Sequence, residues 1–536
     1  MRAPDGGVVG GGKFRDGAGD DLHPRDSGPE GLPALAPWDG HNRRLRDRVR
    51  PADWRKPEPA ARYNLVVIGG GPAGLVAAAA AAGLGAKVAL VERHLLGGDC
   101  LNSGCVPSKA LIRSARAVAA VRGAGEFGVR VDGGIAVDFG AVMERMRRLR
   151  ADLGSHDAAA RFRELGVDVF FGSARFEGMD RVAVEGTTLR FARAVIATGS
   201  RAAAPAIPGL EEVPFLTHET LFSLTELPRR LGVIGAGPIG CELAQAFARF
   251  GSDVTLIEAA SGVLPREERE AAAWVERALV RDGVRLCCGG RDLRVSRDGN
   301  GIRLTGECQG GRFDERVDRL LIAAGRVPNL EGLGLERAGV GWDGRGVTVT
   351  DRLQTTNRRV YACGDVCSRF QFTHAADFMA RLVIQNALFG GRAKVGALGI
   401  PWCTYTSPEL AHVGWNASEA GAHGVAVDTF TQPLDGVDRA VLDGATEGWV
   451  RVHVRRGTDR LIGATVVADH AGDLIGEIAL AMKGRLGLKT VGATVHPYPT
   501  QAEAIRRTGD LYNRTRLTPW VKRILGWWMA WRRRGG

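Results

Sequence analysis

Leu65-Val66-Val67-Ile68-Gly69-Gly70-Gly71-Pro72-Ala73-Gly74 is the stretch whose reading decides the fold. The four apolar residues read as a short buried strand. Gly69-x-Gly71-x-x-Gly74 reads as a tight turn that lets backbone approach a pyrophosphate at a helix N-terminus, and the alanine-rich run after it reads as that helix. A second strand, Val88-Ala89-Leu90-Val91, ends at Glu92, eighteen residues past Gly74, where a carboxylate can accept hydrogen bonds from ribose hydroxyls. Three glycines alone are a weak signal, but with strand, helix and acid in order the dinucleotide site is strong. The unit recurs as Leu231-Gly232-Val233-Ile234, Gly235-x-Gly237-x-x-Gly240, a helix through Phe250 and a strand from Val254 to Ile257 that ends at Glu258. Two units imply two dinucleotides, most simply a tightly held flavin adenine dinucleotide (FAD) at the first and an exchangeable nicotinamide dinucleotide at the second.

Directly after the first unit comes Gly97-Gly98-Asp99-Cys100-Leu101-Asn102-Ser103-Gly104-Cys105-Val106-Pro107-Ser108-Lys109, with two cysteines five positions apart. In a regular helix that offset separates the side chains by about 140° and roughly 7.5 Å of rise, so a bond between them needs a distorted turn. Gly104 and Pro107 permit one. A thiol at the N-terminus of the following helix, with Lys109 as a nearby cation, should have a lowered pKa at Cys105. The segment reads as a redox loop capping a helix; two buried small residues or half a metal site are the plainer alternatives.

The 536 residues, 45% hydrophobic, suffice for two to four domains. Nine cysteines are no disulfide scaffold and no secretory signal opens the chain, so a reducing cytoplasm is expected. Leu65 to Ala86 carries no charge, but its glycines and its strand-turn-helix order exclude a membrane span. The formal charge of +12 sits at two ends: residues 41–56 contribute +5 and residues 514–536 contribute +7. The rest of the chain balances to about zero, which leaves nucleic-acid binding by the body unsupported, and no nucleic acid is expected as a partner.

Residues 1–61 read as an irregular extension, glycine-rich and then proline-rich. Residues 138–165 read as one helix with Phe139, Val142, Met146, Leu149 and Leu153 on a face, and 167–196 as short strands ending at Ala197-Thr198-Gly199. Leu320 to Asn329, with Gly325 and Arg326, mirrors that ending. Thr198, Gly199 and Gly325 therefore count among the cofactor-binding residues. Tyr361-Ala362-Cys363-Gly364-Asp365 ends a strand with a carboxylate that could hold a ribityl hydroxyl. From about Pro401 the pattern becomes a separate α+β domain.

Together the redox loop, both glycine units, Gly364-Asp365 and the late His496-Pro-Tyr-Pro-Thr500-Gln-Ala-Glu503 resemble the class I pyridine nucleotide-disulfide oxidoreductases over roughly residues 62–513. Among them the chain is most similar to the mercuric reductase-like and dihydrolipoamide dehydrogenase-like branch. The resemblance implies an α/β architecture of two Rossmann-like domains and an α+β dimerisation domain: a flavin domain (62–205 and 326–395), a nicotinamide domain (206–325) and a homodimer-forming domain (396–513). It implies electron flow from NAD(P)H through FAD to the disulfide and on to a small acceptor. Cys105 matches the thiol beneath the flavin and Cys100 the one that meets the substrate; Lys109 and Glu242 match the ion pair near the flavin's reactive nitrogen.

The chain departs from the pattern at Tyr498, where dihydrolipoamide and glutathione reductases carry a histidine base oriented by a glutamate, kept here as Glu503. A phenol with pKa near 10 accepts protons poorly at pH 7, which disfavours lipoamide oxidation. Mercuric reductases also carry tyrosine there, yet end in a paired-cysteine tail, whereas the last cysteine here is Cys403. The leading expectation is a mercuric reductase-like flavoenzyme. A dihydrolipoamide dehydrogenase or other disulfide reductase, and a flavin-bearing redox sensor or membrane-associated redox partner, are the alternatives.

Glu258, followed by Ala259 and Ala260, would bind a ribose diol and repel a 2′-phosphate, which favours NADH; Arg266 and the mercuric reductase likeness point to NADPH. Cys287-Cys288 and Cys363-x-x-x-Cys367 are expected in the core, and His374 and His412 to be structural; no cluster has metal-ligand spacing. In the tail, residues 514–536, Trp520, Val521, Ile524, Leu525, Trp528 and Trp531 share one helical face flanked by Lys522 and Arg523. Such a helix lies peripherally on a membrane, here its inner face, or packs on the protein itself.

Overall fold

The computed structural model describes residues 35–534. Its first unit is built on parallel strands in the order Val167–Phe171, Val88–Glu92, Tyr63–Ile68 and Thr187–Ile196, with Val360–Ala362 added beside the last. Leu65, Val66 and Val67 are fully buried, as a strand covered on both faces requires. Pro72–Gly83 is the crossover helix, and Pro72 at its start supplies a fixed φ where no backbone donor is needed. The second unit repeats the plan: Val284–Cys288, Asp253–Glu258, Arg230–Ile234 and Arg319–Ile322 form a four-stranded parallel sheet, with Pro238–Phe250 as crossover helix. A short antiparallel pair, Ser200–Ala202 with Arg326–Pro328, marks where the chain leaves the first unit and returns to it.

The C-terminal part is a five-stranded antiparallel sheet from Trp402–Thr404 to Val427–Pro433, covered by the helices Ala471–Lys483 and Glu503–Thr515. The architecture is the α/β arrangement expected.

Two expectations need correcting. Of the extension read as irregular, residues 1–34 lie outside the described residues, but Gly40–Val49 is a helix. Asp39 caps it by accepting the Asn42 N–H at 2.8 Å, and Asn42, Leu45 and Val49 fall on one buried face. Four arginines and a proline-rich flank concealed that short stripe. The helix read over 138–165 breaks: Phe139–Leu153 ends at Gly154 and Ala159–Glu164 is a second helix. A Cβ at Gly154 would come within 2.8 Å of Leu45 Cδ1, so the break seats the N-terminal helix. Arg147 to Asp39 at 2.5 Å and Arg150 to Asn42 at 2.7 Å fasten the two together.

The tail forms a helix, Pro519–Arg533, in which no residue is buried. Among the described residues no helix is long and apolar enough to cross a membrane.

Candidate active site

One cleft of about 1950 Å³ runs between the two glycine units and the C-terminal sheet. At its first end Gly69 takes φ +109°, and a Cβ there would lie 2.3 Å from Ala197 O; a Cβ on Gly74 would lie 1.8 Å from Gly69 O. Both are required by the protein's own packing. Gly71 is not: a Cβ there would find nothing nearer than Gly98 Cα at 3.7 Å, and it faces the cleft. The second unit repeats this, with Gly235 (φ +102°) and Gly240 closed in by backbone while Gly237 has nothing within 4 Å. A middle glycine with no steric reason inside the chain is the mark of a cradle for a group from outside it, and this fits a pyrophosphate at each helix N-terminus. Glu92 accepts from the Gly70 and His94 N–H groups at 2.5 and 2.6 Å, and burial pushes its carboxyl upward. Glu258 accepts in the same way from Ala236 and Ala260 at 2.7 and 2.8 Å.

Cys100 sits in the short helix Gly98–Asn102 and Cys105 is the first residue of Cys105–Arg122. Gly104 between them is demanded by contact: its Cβ would meet Asp99 O at 2.9 Å. Both cysteines are thiols in this structure. Cys105 lies at two converging helix starts, its own and that of Thr373–Phe389, whose Thr373 hydroxyl is 3.4 Å from its sulfur. The bond from Cys100, the Thr373 hydroxyl and the Lys109 charge together outweigh burial and bring the Cys105 thiol down to about 6. Cys100, bonded to that thiolate and partly buried, is pushed up. A dithiol whose two members are driven apart in acidity can deliver one nucleophile and keep one proton.

Lys109 Nζ donates to Glu242 Oε2 at 2.8 Å and stands 4.5 Å from the Tyr405 ring centroid. Burial works against the ammonium, but the Glu242 carboxylate prevails and the Lys109 pKa is raised. Glu242 is 5% exposed and its other oxygen accepts the Tyr405 N–H, so the pair joins the redox helix to the second crossover helix and the C-terminal sheet. Thr198 and Asn329 exchange two bonds of 2.8 and 2.9 Å, which bring Gly199 and Gly325 to the same wall. Asp365 accepts from Ser200 Oγ at 2.7 Å, and burial raises its pKa.

The structure thus gathers Gly69, Gly71, Glu92, Cys100, Cys105, Lys109, Thr198, Gly199, Gly235, Gly237, Glu242, Glu258, Gly325 and Asp365 around one cleft, with Gly74 and Gly240 directly behind. It does not bring Tyr498 or Glu503 there. Tyr498 is 70% exposed and its hydroxyl donates to Asp438 at 2.7 Å, while Glu503 accepts from Arg506 and Arg507 at 3.1 Å. Asp438 and Arg507 stand between the two residues expected to work as a pair. Thr373, Arg326 and His218 also line the cleft, beyond the residues the sequence points to; Arg326 lies in the stretch Leu320 to Asn329, but no spacing rule ties it to a cysteine 226 positions earlier. Cys287, Cys288 and Cys363 are buried, and His374 and His412 bond to Pro401 O and Thr465 Oγ1. Among the described residues no group of three His, Cys, Asp or Glu is placed to hold a metal ion.

Two dinucleotide cradles facing one acid-split dithiol define a flavin- and nicotinamide-dependent disulfide oxidoreductase. The chain belongs to the family described as pyridine nucleotide-disulphide oxidoreductase, whose match covers residues 63–380, followed by that family's dimerisation domain over residues 400–508. It is 38% identical over 457 residues to a mercuric reductase of Streptomyces lividans, covering 84% of this chain and 96% of that one. It is 36% identical over 460 residues to a dihydrolipoyl dehydrogenase of Thermus scotoductus, covering 84% and 97%. Among solved structures, the HOCl-induced flavoprotein disulfide reductase RclA from Escherichia coli aligns with a TM-score of 0.74 and 29% identity, covering 84% of this chain and all of that one. The protein is an FAD-dependent enzyme that takes electrons from a pyridine nucleotide.

Proposed function

We propose that the enzyme passes electrons from NADH to a soft, thiophilic acceptor of the mercuric ion kind, by way of Cys105 and Cys100, and is not built for lipoamide. When bound at the first unit, FAD relays two electrons between the nicotinamide and the disulfide. The chain's own part is to seat the pyrophosphates on the starts of the two crossover helices, to keep Cys105 as thiolate beside Lys109 and Glu242, and to present Cys100 to the acceptor. The balance is NADH and Hg²⁺ giving NAD⁺, H⁺ and Hg⁰. The observation that carries the choice of acceptor is Tyr498: the Asp438 carboxylate holds its hydroxyl as a donor and raises its pKa, so it cannot take a proton from a dithiol near neutrality. Tyr498 stands outside its own chain's cleft, which supports a role for Tyr498 of the partner subunit and an active unit of two chains.

Steady-state assays on purified holoenzyme test this. Turnover with thiol-bound mercuric ion at about 1 per second or more, and dihydrolipoamide at least tenfold slower, is the expected result. Tyr498→His raises lipoamide activity, while Tyr498→Phe slows the native acceptor and spares flavin reduction by NADH. Efficient wild-type lipoamide turnover, or full activity in a monomer, overturns the reading.

The tail supports a second, independent reading: a peripheral contact with an anionic lipid surface. Pro519–Arg533 buries none of its residues, exposes Trp520, Trp527, Trp528 and Trp531, and lies in a stretch with seven basic residues and no acid. Co-sedimentation with phosphatidylserine vesicles, lost on truncation after residue 513 and absent with neutral vesicles, is the expected outcome. A truncated chain that loses its dimer instead assigns the helix to the subunit contact.

A further inference from the structure

We propose that Asp99 is a positioning residue for the redox pair: its carboxylate anchors the turn that carries Cys100 and keeps a fixed negative charge beside the two thiols. The inference rests on the redox role of Cys100 and Cys105 given above. Gly98–Asn102 is a single turn with no side-chain cap, too short to hold its own geometry. Asp99 supplies what is missing. Its carboxylate accepts from Arg326 Nη2 at 2.7 Å and from Ser103 Oγ at 2.7 Å, and it stands 3.2 Å from His218 Nε2.

The anchor is itself fixed. Arg326 Nε donates to Ser200 Oγ at 2.8 Å and Nη2 to Ser200 O at 3.1 Å, and its Nη1 is 2.9 Å from His218 Nε2. His218 is 6% exposed, and its one ring nitrogen can serve Arg326 or Asp99 but not both. The same guanidinium lies 3.6 Å from Asp365, the carboxylate at the end of Val360–Ala362. One cation is therefore shared by two carboxylates, Asp99 next to Cys100 and Asp365 across the cleft; Glu219, 3.9 Å from His218, adds a third acid behind them. Burial works against the Asp99 carboxylate, but His218, Arg326 and Ser103 prevail and hold it ionised. The cation that lowers the Cys105 thiol is Lys109, already paired with Glu242.

A negative charge beside the dithiol opposes thiolate formation at both sulfurs and weights the pair towards the uncharged disulfide. Asp99→Asn removes the charge and keeps one acceptor oxygen, which can face Arg326 Nη2 while the amide N–H donates to Ser103 Oγ. In the flavin-loaded, two-electron-reduced variant, the pH midpoint of the thiolate-to-flavin charge-transfer band should fall by about one unit. The dithiol–disulfide equilibrium against glutathione should move about tenfold towards dithiol, about 30 mV for two electrons. Asp99→Glu should return the midpoint towards wild type. An unmoved or raised midpoint in Asp99→Asn overturns the proposal, since a role in packing alone leaves thiol acidity where it is. Should Asp99→Asn not retain flavin, the pH profile of iodoacetamide alkylation, compared between apo variant and apo wild type, reads the same midpoint. Wild-type enzyme with no charge-transfer band at any pH overturns instead the redox role beneath the inference.

Discussion

At the first glycine unit the closing acid, Glu92, is 8% exposed, the redox turn packs over the mouth at Gly98, and the N-terminal helix straps the outside. At the second, Glu258 is half-buried, Gly237 faces open space, and the residues that follow are Ala259, Ala260 and the exposed Arg266. The backbone logic is the same, down to the two N–H groups each carboxylate accepts. What differs is what covers the cradle. A covered cradle suits a cofactor that stays and an open one suits a substrate that exchanges, so residence is decided by the elements laid across the motif and not by the motif.

The largest test of that asymmetry is Cys105→Ser. Only the first unit leads into thiols that line the cleft, Cys241 of the second being buried, so the substitution should cut turnover about 10³-fold or more, as losing one member of a unit does. It should abolish the charge-transfer band and leave flavin in place; a surviving band would exchange the assignments of Cys100 and Cys105. Leu45→Ala probes the strap. Leu45 is fully buried against the first unit, so about 2–5 kcal/mol of stability should be lost in urea unfolding, with flavin released at lower denaturant.

A finer cut separates the glycines. Gly74→Ala sets a Cβ 1.8 Å from Gly69 O and should cost about 1–3 kcal/mol in the apoprotein, whereas Gly71→Ala meets no protein atom within 3.4 Å and should leave apoprotein melting unchanged while lowering flavin content. Equal destabilisation of the apoprotein by both would mean that Gly71 serves packing and that the cradle argument fails. The acidity of Cys105 gives the next test. Its pKa is lowered to about 6, so the charge-transfer band should be full above that pH and fade as pH falls through it; an ordinary thiol would lose the band near 8.5.

Much of this was legible in the chain because the signals are local. Strand, three glycines and an acid lie within thirty residues at each unit, and Cys100 to Lys109 is one continuous segment. The N-terminal helix was not legible, because three buried positions, Asn42, Leu45 and Val49, were set among four arginines, of which Arg44 and Arg48 find their partners about a hundred residues away. Arg150 shows why: as a sequence letter it is a surface cation, yet it is 4% exposed and bonds Asn42 Oδ1 and Asn102 O. The Asp99–Arg326–His218 cluster was hidden for the same reason. Its members come from three stretches far apart in the chain, and Arg326 reaches the others from the short pair Ser200–Ala202 with Arg326–Pro328. The partner of Tyr498 proved to be Asp438 and not Glu503, a contact between a loop and a helix start that no motif spacing encodes.

The smallest expected effect concerns which nicotinamide the open cradle prefers. Both Glu258 oxygens are held by backbone donors, so the carboxylate cannot turn away from whatever lies at the ribose; it retains lone pairs for a diol and presents a fixed negative charge to a 2′-phosphate. Arg266 lines the same cleft, exposed and on the opposite side of the argument. Because it is solvated, its attraction for a phosphate should amount to about 1 kcal/mol or less, roughly fivefold in KM. NADH should therefore be preferred by wild type. Glu258→Gln should narrow the gap by lowering the KM for NADPH, and Arg266→Ala should widen it by raising that KM alone. Stopped-flow flavin reduction at varied nucleotide measures both. Tighter binding of NADPH than NADH by wild type would mean that the exposed guanidinium outweighs the fixed carboxylate, and the difference between the two cradles would then extend to the sign of the charge each presents.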